Sequence, residues 1–339
     1  MKKRLLAALM AGAMALTMTA CGGSSSSSTT QDDSASDEST ATATAGDYTV
    51  GIVQLVQHEA LDAATQGFQD KLTELITEAG GSVDFESENA SGDSANCATI
   101  VNGFVSSGVD LIMANATAAL QAAQAATADI PILGPSISDY GTALGVSDWT
   151  GTTGTNISGT TDLAPLDGQA EMIQELFPDA TNVGMLYCSA EPNSSYQINT
   201  IKPYLEEMGY TCTEYAFSDS NDLSAVVTTA CAESDVLYIP TDNTAATNAE
   251  LIGNIAVPAG VPIIAGEEGI CSGCGVATLT ISYYDLGCQT AEMAYEILVN
   301  GADPAEMEIE YAPQFTKKYN PDMCDALGLT APEGYEAIG

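Results

Sequence analysis

The sequence predicts an α/β protein made of two doubly wound, parallel-sheet lobes. Apolar runs of strand length alternate with segments of helical period from Tyr48 onward, the pattern of parallel strands joined by crossover helices. The alternation completes one cycle by Gly134 and restarts near Asn182. The two cycles echo each other. Asp110-Leu-Ile-Met-Ala-Asn-Ala-Thr117-Ala-Ala parallels Asp235-Val-Leu-Tyr-Ile-Pro-Thr-Asp-Asn-Thr244-Ala-Ala, and each leads through a helix to Pro-Ile, at Pro131 and Pro262. A length of 339 residues exceeds what one hydrophobic core usually serves, which also favours two domains.

Each element has its own signal. Tyr48 to Val56 is rich in β-formers, and Leu61, Ala64, Phe68, Leu72 and Ile76 share one face of a helix from about Glu59 to Ala79. Strand Ser82–Glu88 follows, then a helix capped by Asp93 and reaching Ser107. Strand Asp110–Ala114, helix Thr117–Ala128 and strand Ile130–Gly134 end the first cycle. The second runs through strand Val183–Tyr187, helix Ser194–Met208, strand Thr211–Phe217, helix Leu223–Cys231 and strand Val236–Ile239. Helix Ala245–Ala256 and strand Val261–Ala265 complete it. A further strand-like run, Val276–Ser282, leads into an apolar-periodic helix headed by Tyr283-Tyr284-Asp285.

Residues 1–21 are a separate object. Lys2, Lys3 and Arg4 form a basic head, Leu5 to Leu16 an apolar middle too short to span a bilayer, and Met18-Thr19-Ala20 precede Cys21. This reads as a secretory signal. Cys21 after small residues resembles the lipobox of bacterial lipoproteins, which implies lipidation at Cys21; an ordinary signal with a chance cysteine is the alternative. Residues 22–46, rich in Ser, Thr, Asp and Ala, read as a disordered tether. No later run is long and apolar enough for a transmembrane helix.

The formal net charge is −39, and beyond the signal the only basic residues are Lys71, Lys202, Lys317 and Lys318. That excludes a nucleic-acid or anionic-membrane surface as partner. With no arginine beyond the signal, a bound carboxylate has to be held by hydroxyls, backbone N–H groups or a helix N-terminus. Eight cysteines follow Cys21, either paired as in many exported proteins or free in an anaerobic habitat; Cys271 and Cys274 are the closest in sequence. One CxxC and one histidine do not make a zinc site. Dinucleotide, P-loop, EF-hand, H-E-x-x-H and G-x-S-x-G patterns are absent, so no metal, cofactor or catalytic residue is expected.

In parallel sheets ligands sit beyond the carboxyl ends of the strands. The candidate positions are therefore Gln57-His58, Asn115-Ala116-Thr117, Pro135-Ser136, Glu191 to Ser194, Thr241 to Thr244 and Gly266-Glu267-Glu268. His58, the only histidine, is either a ligand contact or an ordinary residue at a helix start. Asp242 and Asn243 open a helix, so capping competes with ligand contact there; Asp242 and Asp162 are rivals for a substrate ammonium. Asn115, Thr117, Ser136, Asn193 and Ser194 offer amides and hydroxyls at helix starts, suited to a carboxylate or to capping. Glu267 and Glu268 are adjacent and point to opposite sides, so only one faces the cleft. Tyr283 either walls an apolar side chain or packs in the core.

Four blocks carry a resemblance: V-Q-H-E-A-L-D-A-A (56–64), N-I-S-G-T-T-D-L-A-P (156–165), Y-I-P-T-D-N-T (238–244) and A-G-E-E-G (265–269) with Y-Y-D-L-G-C-Q-T-A-E-M-A (283–294). They resemble ABC-transporter substrate-binding proteins of the periplasmic-binding type I fold, the tryptophan-type amino-acid binders among them. The chain departs from that group at Gln57-His58-Glu59, where the family shows Glu-His-Pro. The resemblance implies three crossings between lobes, the first near Gly145–Gly159 and the second near Gly266. Val276–Asn300 is then expected in the first lobe and Met307–Ala312 in the second. The lobes come out as 47–157 plus 267–303, and 158–266 plus 304–339. By the same resemblance the chain is a monomeric, lipid-anchored capture protein on the outer face of the membrane. It takes an aromatic or branched amino acid and delivers it to an ABC permease and ATPase. A sugar or nucleoside binder or sensor of the same fold is the alternative, and an extracellular enzyme is disfavoured.

Overall fold

The computed structural model describes residues 45–339; the expected signal, Cys21 and nearly all of the expected tether lie outside the described residues. The first pass through the chain reads β1 (Asp47–Gln54), α1 (Glu59–Glu78), β2 (Ser82–Asn89), α2 (Ser94–Ser107), β3 (Leu111–Asn115), α3 (Thr117–Ala126), β4 (Ile132–Gly134), α4 (Tyr140–Leu144) and β5 (Ile157–Thr161). The second reads α5 (Leu166–Leu176), β6 (Asn182–Cys188), α6 (Pro192–Glu207), β7 (Thr211–Phe217), α7 (Ser220–Glu233), β8 (Val236–Ile239), α8 (Asn243–Thr247), α9 (Ala249–Ala259) and β9 (Ile263–Ala265). The remainder is α10 (Glu268–Gly273), β10 (Ala277–Thr280), α11 (Tyr283–Leu298), β11 (Glu310–Tyr311), β12 (Thr316–Tyr319), α12 (Pro321–Leu327) and β13 (Glu336–Ala337). As the sequence predicts, Asp93 caps α2, accepting from the Ala95 N–H at 2.8 Å.

Two sheets result, ordered β11-β5-β4-β3-β1-β2 and β13-β12-β10-β9-β8-β6-β7. Every pairing is parallel except β10 with β12. The central strands β3, β8 and β9 are buried along their whole length, as strands covered by helices on both faces must be. Each sheet has an apolar core on either face, for example Ile112, Phe104 and Leu120 on one side of the first sheet and Phe68, Leu72 and Met113 on the other.

Sheet membership corrects several expectations. The segment after Gly145 does not cross; it returns as β5 beside β4, and the first crossing is 162–165. Gly266 is no crossing either. Strand β10 continues the second sheet next to β9, so the chain leaves that lobe only at Ile281-Ser282. Strand β11 pairs with β5 in the first sheet rather than joining the second, and 312–315 forms the third crossing. The physical reason is that an apolar strand-length run shows that a strand exists but not which edge it joins. Here β12, carrying Lys317 and Lys318, takes the antiparallel place that holds β10 in the second sheet.

Helix α11 returns to the first lobe against α1, and the backbones nearly touch. A Cβ added at Gly67 would lie 2.0 Å from the Tyr284 carbonyl oxygen, and one at Gly287 would lie 2.0 Å from that of Ala64. Neither carbonyl can swing aside. Gly287→Leu is therefore expected to lower stability by about 1–3 kcal/mol through overpacking. Urea unfolding checks this: the midpoint should fall with an unchanged slope, and an unmoved midpoint contradicts the packing.

Candidate functional site

The carboxyl ends of both sheets turn toward each other, and polar residues meet across the gap. From the first lobe come His58 before α1, Asn115-Ala116-Thr117 between β3 and α3, and Ser136 and Ser138 after β4. From the second come Glu191, Asn193 and Ser194 at α6, and Thr241 to Asn243 at α8. The first two crossings supply the base of the cleft, because Asp162 lies on one and Tyr283 starts the helix after the other. Asp162 Oδ1 accepts from the Ser138 hydroxyl at 2.9 Å and Oδ2 from the Tyr283 hydroxyl at 3.1 Å. Burial pushes Asp162 up to about 6, against the pull of those two hydrogen bonds.

Two side-chain bonds join the lobes directly. His58 Nε2 and Asn243 Oδ1 are 3.1 Å apart, and Gln197 Nε2 reaches Ser138 Oγ at 3.5 Å. Gln197 also clamps Thr241, donating to its carbonyl and accepting from its N–H, each at 3.0 Å. Asn193 donates to the same carbonyl at 3.2 Å. Glu191 accepts from the backbone N–H groups of Asn243 and Thr244 and from their side chains, fixing the start of α8.

The entrance to α3 is unusual. Ala116 has φ 92° and ψ 157°, a region populated almost only by glycine. No side chain caps the helix, so the first N–H groups of α3 have neither an intrahelical nor a side-chain partner. Nearby, the Ser136 hydroxyl and the Asn115 amide oxygen are buried with no protein partner. The Asn115 nitrogen is spent on the Leu61 carbonyl and the Thr65 hydroxyl. Thr117, the first residue of α3, is buried beside them.

Other anticipated residues do different work. Asp242 caps α8, accepting from the Ala245 N–H at 2.8 Å, and its second oxygen accepts from the Cys188 N–H at 2.7 Å. Burial, then the Glu191 charge, pushes it up to about 7. Ser194 is buried beneath it. Glu267 caps α10 through the N–H groups of Gly269 and Ile270, and burial pushes it up to about 7. Glu268 turns outward to Lys318 at 2.6 Å. Gln57 is exposed at the mouth, lining with His58, Glu59, Thr247 and Glu250 a groove of about 570 Å³. Cys271 and Cys274 are both free thiols, as are all eight cysteines among the described residues.

Ser138 and Gln197 were not anticipated. Ser138 follows Ser136 by two residues in the loop after β4. Gln197 stands one turn beyond Asn193 on the same face of α6, so helical spacing alone reaches it.

Two α/β lobes, linked by three crossings and meeting over a polar cleft, define the periplasmic-binding type I fold. A profile of the ABC transporter substrate binding protein family matches residues 49–337, and the chain belongs to that family. The tyrosine-binding protein of Clostridioides difficile (strain R20291) is 33% identical over 328 residues, covering 96% of this chain and 93% of the relative. The ABC domain in complex with L-Trp from Streptococcus pneumonia superposes with a TM-score of 0.79 at 30% identity, over 85% of this chain and 100% of that one. A ligand-free, open substrate-binding protein with adhesive properties from Clostridium difficile superposes with a TM-score of 0.65 at 33% identity, over 86% and 99%.

The buried carboxylates set a pH dependence. Asp162, Asp242 and Glu267 stand at about 6, 7 and 7 in the fold, above their ordinary values of 3.8, 3.8 and 4.5. Between those limits the native state binds more protons than the unfolded chain, so stability rises as pH falls through the folded values. His58 acts oppositely, because burial lowers it and charging it below its ordinary 6.5 costs stability. Three groups outweigh one. The urea midpoint is expected to be higher at about pH 5.5 than at about pH 7.5; an equal or lower midpoint contradicts the assignment.

Proposed function

We propose that this protein captures an aromatic amino acid in the cleft and delivers it to the permease of an ABC importer. The observation that carries the reading is a pair of opposite subsites without a fixed cation. An uncapped, buried helix N-terminus at α3, beside the unpartnered Ser136 hydroxyl, suits a carboxylate. Buried Asp162, at the crossing between lobes, suits an ammonium. An α-amino acid presents both groups on neighbouring atoms.

The hydrogen bonds favour Asp162 over Asp242 as the partner of the ammonium. Both Asp242 oxygens serve backbone N–H groups within the second lobe, whereas the side-chain partners of Asp162 are two hydroxyls that can turn. The names of the relatives, tyrosine-binding and in complex with L-Trp, support an aromatic side chain. The better superposition on the L-Trp complex than on the open structure fits lobes already joined through His58–Asn243. Lipidation at Cys21 would hold the capture protein at the outer face of the membrane, and no helix among the described residues is long and apolar enough to cross it. The protein does no chemistry on its ligand in this reading.

Titration calorimetry with L-tyrosine and L-tryptophan tests it. Binding by at least one is expected, and Asp162→Asn should weaken it by about 10- to 100-fold through loss of a charge-assisted bond. No binding by any aromatic or branched amino acid contradicts the ligand assignment. In a thermal-unfolding series, the bound amino acid should raise the midpoint as its concentration passes Kd.

A further inference from the structure

The hydrogen bonds around His58 fix where its proton sits. Asn243 Nδ2 lies 2.7 Å from Glu191 Oε2, and a carboxylate oxygen accepts, so the amide nitrogen must face it. The amide oxygen is then the atom 3.1 Å from His58 Nε2, and a carbonyl oxygen also accepts. Nε2 therefore carries the proton. Glu191 cannot swing away, because its oxygens also hold the backbone N–H groups of Asn243 and Thr244 and the Thr244 hydroxyl. Burial holds the imidazole below its ordinary value despite the Asn243 bond and the charges of Glu191, Asp62 and Asp162. A neutral ring protonated on Nε2 leaves Nδ1 as a lone-pair acceptor.

That Nδ1 is buried with no protein partner. A buried acceptor left unmatched is unfavourable, so the ring suits a donor that the protein does not supply. The head of an amino acid is already provided for by α3, Ser136 and Asp162. His58 stands toward the mouth of the cleft, between exposed Gln57 and Glu59. We propose that His58 Nδ1 accepts a hydrogen bond from the ring of the bound amino acid, a phenol O–H or an indole N–H, and so makes the cleft select tyrosine and tryptophan over phenylalanine. The inference rests on the aromatic-amino-acid reading above and adds the residue that sets the choice among aromatic side chains. A neutral acceptor suits a neutral donor, and phenylalanine has none to offer.

The test compares L-tyrosine, L-tryptophan and L-phenylalanine by calorimetry on the wild-type chain and on His58→Leu. The wild type is expected to bind tyrosine or tryptophan at least about 100-fold more tightly than phenylalanine, because a site with a buried polar group rejects the ligand that leaves it unmatched. In His58→Leu the gap should shrink to within about threefold, on top of whatever common loss the missing His58–Asn243 bond causes for all three ligands. Loss of the His58–Asn243 bond alone would weaken all three ligands by one factor, and that outcome overturns the proposal. Wild-type binding of phenylalanine as tight as the better of tyrosine and tryptophan overturns it without any variant. If none of the three binds, the amino-acid reading falls and this inference with it; binding without ring preference sinks this inference alone. A second measurement needs no substitution. The chain has one histidine, so the ¹⁵N spectrum of a chain without a histidine tag reports its ring directly. With ligand at neutral pH, a proton on Nε2 and an unprotonated, hydrogen-bonded Nδ1 are expected; a doubly protonated ring or a proton on Nδ1 contradicts the proposal.

Discussion

The cleft is polar and contains no cation, and most of its construction follows from that. Among the described residues each lysine is committed to a glutamate: Lys71 to Glu74, Lys202 to Glu214, Lys317 to Glu175 and Lys318 to Glu268. The only arginine, Arg4, lies outside the described residues. A zwitterion therefore cannot be held by an arginine clamp. In the proposed binding mode the uncapped start of α3, strained at Ala116, presents N–H dipoles in its place. Dipoles gain strength in a buried site, since little water competes for them. The same burial, with no lysine or arginine beside them to relieve it, raises Asp162, Asp242 and Glu267.

The polar residues divide into those that hold the lobes in shape and those with capacity left over. Asp242, Glu267 and Glu191 are spent on backbone N–H groups at the starts of α8 and α10. Gln197 and Asn193 pin the Thr241 carbonyl. What remains are His58 Nδ1, Ser136 Oγ and Asn115 Oδ1, with two hydroxyls as the side-chain partners of Asp162. In a folded protein nearly all buried polar atoms are matched, so unmatched ones gathered in a cleft mark where a ligand supplies the missing partners.

Much of this was legible in the sequence. The two α/β cycles, the helix of Leu61, Ala64, Phe68, Leu72 and Ile76, and the post-strand positions of the cleft all follow from periodicity and the rules of parallel sheets. What failed was long-range pairing. Val276–Thr280 reads as a strand from its own residues, but its place beside β9 depends on β12, which hardly reads as a strand because two lysines sit in it. Burial and capping were equally hidden. Asp242 and Asp162 look alike on paper, and only the backbone N–H groups around Asp242 separate their roles. The orphaned Nδ1 of His58 depends on Asn243 and Glu191, far away in sequence, and no local pattern announces it.

The central claim is that an amino acid lies with its carboxylate at α3 and its ammonium at Asp162. A crystal structure grown with L-tyrosine or L-tryptophan tests it most directly. The account predicts the carboxylate within hydrogen-bond distance of the first N–H groups of α3 and the Ser136 hydroxyl, the ammonium against Asp162, and the ring directed toward His58. A ligand held outside the cleft, or one seated with its carboxylate against Asp162, would contradict it.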